Sequence, residues 1–191
     1  MNHISIEGMD GVGKSTTCKL LAEKLGYTFV EKPLHYLFDE TDSEITQYQK
    51  IAARVNSNDN RDFTAWYWGL NNIYLYEKFK DQNIVTDRHI VSNYCWSGTE
   101  YNKDIYNLIL KKIGKPTLTV ILYAKPKTII NRLKSRNIND SDLNKINLSE
   151  KAYERMIYFC EIKKLNYIIV DTTNKKVEEV VDEILKHIKV K

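Results

Sequence analysis

Three cysteines, three prolines and seven glycines are all that this chain of 191 residues holds of the types that cross-link, kink or loosen a backbone. Cys18, Cys95 and Cys160 are odd in number, far apart and without CxxC or Cys/His spacing. That speaks against a disulfide frame and a zinc site, and for buried or half-buried thiols in a reducing compartment. No run approaches the ~20 apolar residues of a membrane span, and the first residues carry neither the basic segment nor the apolar region of a secretory signal. The expectation is a cytoplasmic chain with no membrane partner. Charge of one sign is scarce too: 29 basic against 25 acidic residues leave a formal +4 scattered along the chain, too mild and too mixed for a nucleic-acid groove. Nucleic acid is not an expected partner, whereas small anionic molecules are. Internal repeats, low-complexity tracts and linkers are missing as well, so residues 1–191 read as a single domain.

What is present is alternation. Apolar or β-branched runs at residues 2–6, 27–31, 83–87, 117–124 and 166–171 read as five short strands, the run "TLTVILYA" from Thr117 to Ala124 being the strongest. Helical spacing fills the intervals, from Lys14 to Leu25 with Leu20, Leu21 and Leu25 on one face, around Ser43 to Val55, and from Phe63 to Phe79. Strands alternating with helices predict an α/β fold whose parallel sheet is covered by helices on both faces, with ligand bound beyond the carboxyl ends of the strands.

Within that frame "IEGMDGVGKSTT", Ile6 to Thr17, carries chemistry. Gly8, Gly13, Lys14 and Ser15 satisfy GxxxxGK[ST], after a predicted strand and opening a predicted helix. A chain this long meets the bare pattern by chance on the order of once in a hundred, so the context decides. Glycines let successive backbone N–H groups converge on phosphate oxygens at the positive end of a helix, and Lys14 adds a full charge there. Gly8, Gly11, Val12, Gly13, Lys14, Ser15 and Thr16 are thus the expected cradle of a nucleoside triphosphate. Ser15 is placed to hold Mg²⁺, and Asp87, ending the third strand, supplies the carboxylate that such an ion takes opposite the loop hydroxyl. Arg88 beside it can neutralise a phosphoryl in transfer, although an Asp-Arg surface pair or a helix N-cap would look the same. "NRLKSRNINDSD", Asn131 to Asp142, places Arg132 and Arg136 four residues apart on one helical face before the chain turns polar. It admits two readings, a flap over phosphates around residues 132–147 without an apolar stripe, or a solvated basic face.

"EGMDGVGKST" resembles the phosphate loop of thymidylate kinases, which reads EGxDGxGKST, and "DRHIVSN" from Asp87 to Asn93 resembles their DRYxxSN/S segment. The likeness extends more loosely over most of the chain and is weakest in its middle third. It implies a P-loop kinase fold with a five-stranded sheet, and a transfer of the γ-phosphoryl of ATP, with Mg²⁺, to a small nucleotide such as dTMP. By the same likeness Asp10 would reach the acceptor's sugar, Lys14, Ser15 and Thr16 the donor phosphates, and Asp87 and Arg88 the metal and the transferring group, with Asn93 closing the segment. Gly11 stands where some members carry an arginine, and members with glycine there keep the catalytic arginine in the flap, which points to Arg132 or Arg136. A second copy of the chain is a further candidate partner, in a homodimer.

Two departures stand out. The family's Arg-Glu-Pro segment after the second strand is Glu31-Lys32-Pro33 here, and the third helix, "FTAWYWGLNN", has Trp68 near the position of a usual arginine. Phe63, Trp66 and Tyr67 are then candidates to stack on the acceptor base, or else are core. Glu31 has two readings of its own. In a deoxynucleoside kinase it would be the base that takes the proton of a sugar hydroxyl. In a monophosphate kinase it would orient a neighbouring cation, Lys32 or Arg88, toward the acceptor phosphate while Pro33 fixes the turn. A nucleotide-dependent switch without turnover would need a partner surface or an appended segment, and the sequence offers neither.

Overall fold

The computed structural model describes residues 1–39, 41, 45–138 and 140–188. Residues 40, 42–44, 139 and 189–191 lie outside the described residues; they include positions 43 and 44 of the helical stretch expected from Ser43, and position 139 of the flap.

Five parallel strands form one sheet: β1 (His3–Gly8), β2 (Thr28–Glu31), β3 (Ile84–Asp87), β4 (Leu118–Tyr123) and β5 (Tyr167–Asp171), in the spatial order β2-β3-β1-β4-β5. The chain passes from β1 to one side for β2 and β3, then crosses to the other for β4 and β5. The crevice beyond the carboxyl end of β1 is therefore the switch point at which open α/β sheets bind ligands. Register carries Asp87 there, opposite Ile6 of β1 and Glu31 of β2.

β1 shows how the sheet is filled. Its sequence alternates polar and apolar, the pattern of a half-solvated strand, yet all six residues are buried. Ile4 and Ile6 enter the main apolar core. The opposite face is a column of bonded polar groups: His3 pairs with Thr86 Oγ1 at 2.8 Å and the Tyr76 hydroxyl at 2.6 Å, Ser5 donates to Thr119 Oγ1 at 3.2 Å, and Glu7 accepts from Ser92.

The helices are α1 (Lys14–Leu25), α2 (His35–Phe38), α3 (Thr46–Asn56), α4 (Arg61–Lys78), α5 (Ile90–Ser97), α6 (Lys103–Ile113), α7 (Pro126–Arg136), α8 (Ser149–Ile162) and α9 (Val177–Leu185), with a 3-10 helix at Ser141–Leu148. Local chemistry sets several ends. Gly26 closes α1 in the left-handed conformation, the Asn60 side chain caps α4 by accepting from the Asp62 and Phe63 amides, and Pro126 opens α7. α1 packs with α9, while α4, α5, α6 and α8 pack with one another. The three cysteines are buried, where burial raises their thiol pKa values and leaves them unreactive.

Candidate active site

The loop between β1 and α1 is built on three glycines with positive φ, Gly8 at 135°, Gly11 at 82° and Gly13 at 97°. A side chain at Gly8 would drive its Cβ to 2.5 Å from the Leu122 carbonyl oxygen, and one at Gly11 would meet Ile129 and Leu133 of α7 at 3.0 and 3.1 Å. Glycine at position 11 thus lets the flap helix sit directly on the phosphate loop.

At the centre of the loop, Lys14 is buried and donates to the Met9 carbonyl at 2.8 Å. Burial and the neighbouring Arg88 lower its pKa, against the pull of Asp10. Ser15 Oγ donates to Asp87 Oδ2 at 2.5 Å, so the two expected metal ligands already converge. Arg88 stands in the left-handed region at φ 73°, a conformation that costs an ordinary residue about 1–3 kcal/mol and persists where the surroundings fix it. What fixes it is a fork of hydrogen bonds to the Gly8 carbonyl (3.1 Å), Ser92 Oγ (3.2 Å) and Asp10 Oδ1 (2.6 Å). Although burial works to raise the Asp10 pKa, Arg88, Lys14 and Lys145 hold this carboxyl well below the usual range. Beneath lie Glu7, whose pKa burial raises against its hydrogen bonds to Ser92, and His89, which burial lowers to about 3. Glu7 Oε1 and both ring nitrogens of His89 are buried without a partner.

Around this floor opens a cavity of about 1160 Å³, more than the roughly 300–1,000 Å³ of a site for one small molecule. Two sets of elements line it. Arg132, Arg136, Asp142, Lys145, Thr172, Lys175, Val177 and Val180 come from α7, the 3-10 helix and the β5 to α9 corner. Tyr48, Asn56, Arg61, Thr64, Trp68, Asn71, Asn72, Asn93 and Trp96 come from α3, α4 and α5, with Glu31 and Lys32 from the end of β2. Asp10, Ser15, Asp87 and Arg88 line it from the ends of the central strands β1 and β3.

Several expected residues stand elsewhere. Phe63, Trp66 and Tyr67 are not on the cavity wall. From the Asn60 cap onward, positions 61, 64, 68, 71 and 72 share the inner face of α4, which leaves Phe63 and Trp66 exposed outside and Tyr67 packed beside Leu34. The α4 aromatic on the wall is Trp68. Gly8 and Pro33 lie beneath the surface and shape their turns. Asn93 reaches the wall, but its amide ties α4 to α5, donating to the Ala65 carbonyl and accepting from the Tyr106 hydroxyl. Glu31 accepts from Lys32 Nζ at 3.0 Å, both side chains being about two-fifths exposed. In the flap, Arg132 donates to Thr172 and to the Val12 carbonyl, while Arg136 forks onto Asp140. The flap also has the apolar anchor that its sequence conceals: Leu143 and Ile146, three apart on one face of the 3-10 helix, pack on the core. Sequence reasoning missed Arg61, Asn71 and Asn72, which the helical phase from Asn60 would have found. It also missed Lys145 and the β5 to α9 corner, which no local spacing marks.

The profile of the thymidylate kinase family matches residues 6–184. The chain is 27% identical, over 97% of its length and 95% of the relative's, to a probable thymidylate kinase of Methanocaldococcus jannaschii. It is 30% identical to a putative adenylate kinase of Thermococcus kodakarensis, covering 97% of this chain and 85% of that protein. Among solved structures, deoxyadenosine kinase from M. mycoides with bound dATP superposes with a TM-score of 0.64 at 20% identity, over 97% of this chain and 98% of the other. That likeness bears on the fold.

Proposed function

The chain belongs to the thymidylate kinase family and is a nucleotide kinase, and from that premise we propose that it moves the γ-phosphoryl of ATP onto a deoxynucleoside monophosphate, turning dTMP into dTDP. The observation that carries this reading is one cavity, larger than a site for a single small molecule, lined by two sets of elements with Lys14, Arg88 and Asp87 at the ends of the central strands. Two nucleotides bound against the two sets would bring donor and acceptor phosphates together there. An oxygen of the acceptor phosphate bonds to the γ-phosphorus as the bond to the β–γ bridging oxygen breaks, its electron pair leaving with ADP. A phosphate ester with a second pKa of about 6 is largely dianionic at neutral pH, so no base is required.

Each residue then has a task. The amides of Gly11 to Thr16 and the Lys14 ammonium hold the donor phosphates. Ser15 and Asp87 offer the hard oxygens that suit Mg²⁺, an ion bound through one or two carboxylates together with substrate phosphates, which would supply charge to the β- and γ-oxygens. Arg88 and Lys32 face the acceptor phosphate, Glu31 orients Lys32, and Asp10 receives the sugar. Trp68 offers the base a flat apolar wall, and Arg61, Asn71 and Asn72 offer it hydrogen bonds. The flap, residues 132–147, belongs to the same single domain and closes over the donor. Among the described residues no helix is long and apolar enough to cross a membrane, and the cytoplasm, where nucleotides circulate, suits the reading. The outer face of α4, with Phe63, Trp66, Leu70 and Ile73 exposed, is where a second copy would dock to form a homodimer.

A second reading has its own observation. Glu31 stands on the cavity wall at the end of β2, beside Asp87 in register, where it would serve a nucleoside kinase as base. An acceptor screen with ATP and Mg²⁺ over nucleosides and monophosphates, adenine ones included, separates the two when run with Glu31→Gln. We expect turnover with dTMP, and a Glu31→Gln loss of less than about tenfold, since a base contributes about 10²–10⁴-fold and a supporting carboxylate less. Turnover confined to nucleosides, abolished in Glu31→Gln, would establish the second reading instead.

A further inference from the structure

The flap brings three cations to the cavity, and the structure employs them unequally. Arg132 uses its guanidinium on fixed main chain, reaching the Thr172 carbonyl at 2.7 Å and the Val12 carbonyl at 3.3 Å, with Thr172 Oγ1 at 3.0 Å. It joins the phosphate loop to the end of β5. Arg136 meets Asp140 at 2.8 and 2.5 Å and Asp142 at 3.2 Å, so its fork is filled by carboxylates of its own segment. Lys145 is different. Its Nζ donates to Asp142 at 2.8 Å and lies 3.6 Å from Asp10 Oδ2, on the phosphate loop itself.

Asp10 is where this matters. Its Oδ1 takes Arg88 at 2.6 Å and Lys14 at 3.5 Å, so one carboxylate gathers three cations from three separate elements. Asp142 and Asp87 stand close by, yet among the described residues the Asp10 carboxylate alone is shared by three cations. A group able to draw such a gathering of donors carries two or more negative charges and has oxygens facing several ways, which describes a phosphoryl group. Lys145 can follow such a group easily, because its ammonium has three rotatable donors on a flexible stem and is about half exposed. Arg132 is held by main-chain carbonyls, and Arg136 would have to leave both Asp140 and Asp142 to do the same.

We infer that Lys145, rather than Arg132 or Arg136, is the flap's catalytic cation, and that Asp10 seats it over the phosphate loop until a phosphoryl oxygen takes its place. The inference rests on the phosphotransfer reading above. While the γ-phosphorus exchanges the bridging oxygen of ADP for the acceptor oxygen, Lys145 donates to its non-bridging oxygens, where charge is spread in the transition state. Arg136 acts through Asp142, which it holds beside Lys145, and is a positioning residue.

The test compares wild type with Lys145→Ala, Lys145→Arg and Arg136→Ala, all surface changes that leave the core untouched. In the ATP and dTMP reaction, Lys145→Ala lowers kcat about a hundredfold, the cost of removing one transition-state donor, with little change in KM, and Lys145→Arg recovers most of it. Arg136→Ala loses less than Lys145→Ala. An unchanged kcat in Lys145→Ala, or a larger loss in Arg136→Ala, overturns the inference. A second measurement needs no acceptor and so separates this inference from the dTMP reading: the affinity for ADP with aluminium fluoride, which mimics the phosphoryl in flight, set against that for ADP alone. Lys145→Ala should weaken the first about a hundredfold and spare the second. Equal affinities in wild type and Lys145→Ala sink the role of Lys145 whatever the acceptor proves to be.

Discussion

The floor of the cavity and its roof are held by the same kinds of group under opposite conditions. In the floor, Glu7, Lys14, His89 and Ser92 are almost fully buried, and the hydrogen bonds between Ser92 and Glu7, Lys14 and Met9, and Arg88 and Asp10 are short. In the roof, Arg136, Asp142 and Lys145 pair at comparable distances, but Arg136 is 59% and Lys145 48% exposed. Burial strengthens each floor contact and makes any unpaired group there costly, so the floor has one arrangement. Exposed ion pairs are worth about 0–1 kcal/mol and are screened by salt, so the roof exchanges partners at little cost. A preorganised floor beneath an exchangeable roof is the division of labour that phosphoryl transfer asks of a protein: donors fixed before reaction, and a cover that admits and releases nucleotides.

The sharpest way to break the floor is Lys14→Met. A buried ammonium, proposed above to hold the donor phosphates, is replaced by a neutral chain of similar length, and Asp10 keeps Arg88 as its partner. Turnover should fall on the order of a hundred- to a thousandfold, the range for losing one preorganised transition-state donor, with the thermal unfolding midpoint little changed. A folded variant with near-native turnover would remove Lys14 from the site.

The two regions also differ in how far they could be read from the sequence. The phosphate loop was legible because its geometry is written in contiguous residues: glycine spacing, the preceding strand and the helix start leave few arrangements, and Asp87 follows from strand length alone. The wall on α4 was only half legible. Its helix was evident, but a side chain's direction depends on where the helix begins, and the Asn60 cap places Trp68 inside and Phe63 and Trp66 outside. The roof was least legible, since the contact of Lys145 with Asp10 joins positions 135 residues apart. Nor does the alternation in β1 announce that its polar face is buried. His3, Ser5 and one oxygen of Glu7 find partners on β3, β4, α4 and α5, which no pattern within the strand can express.

That buried polar face makes the floor sensitive to acid. Burial lowers the pKa of His89 to about 3 from an ordinary 6.5, and burial together with His89 moves His3 in the same direction. Below about pH 6.5 the unfolded chain takes up protons that the folded one refuses, so stability is full above that pH and falls as pH drops toward the folded value. By about pH 5 the loss should reach roughly 2 kcal/mol for His89. His89→Phe removes that share, because neither ring nitrogen has a partner to lose. Chemical unfolding near neutral pH and near pH 5 should show a smaller acid-induced drop in the variant. An identical drop in both proteins would mean that His89 is not held neutral.

The roof should instead respond to salt, and weakly. Asp142 accepts from Lys145 at 2.8 Å and from Arg136 at 3.2 Å, and Asp142→Asn keeps the side chain's shape while removing its charge. The 3-10 helix retains its Asp140 cap and the apolar hold of Leu143 and Ile146. Global stability should therefore change by less than about 1 kcal/mol, the ceiling for exposed pairs. Local opening is where the loss should appear. At low ionic strength the amides of Ser141–Leu148 should exchange a few-fold faster in Asp142→Asn than in wild type. Because the Debye length shrinks from about 10 Å at 0.1 M to about 3 Å at 1 M, comparable with these contacts, raising the salt toward 1 M should bring the wild-type rates up toward those of the variant. Equal exchange in the two proteins at low ionic strength would mean that the flap is held by the packing of Leu143 and Ile146 alone. A fall in global stability as large as that of a core substitution would place Asp142 with the floor and erase the distinction between the two regions.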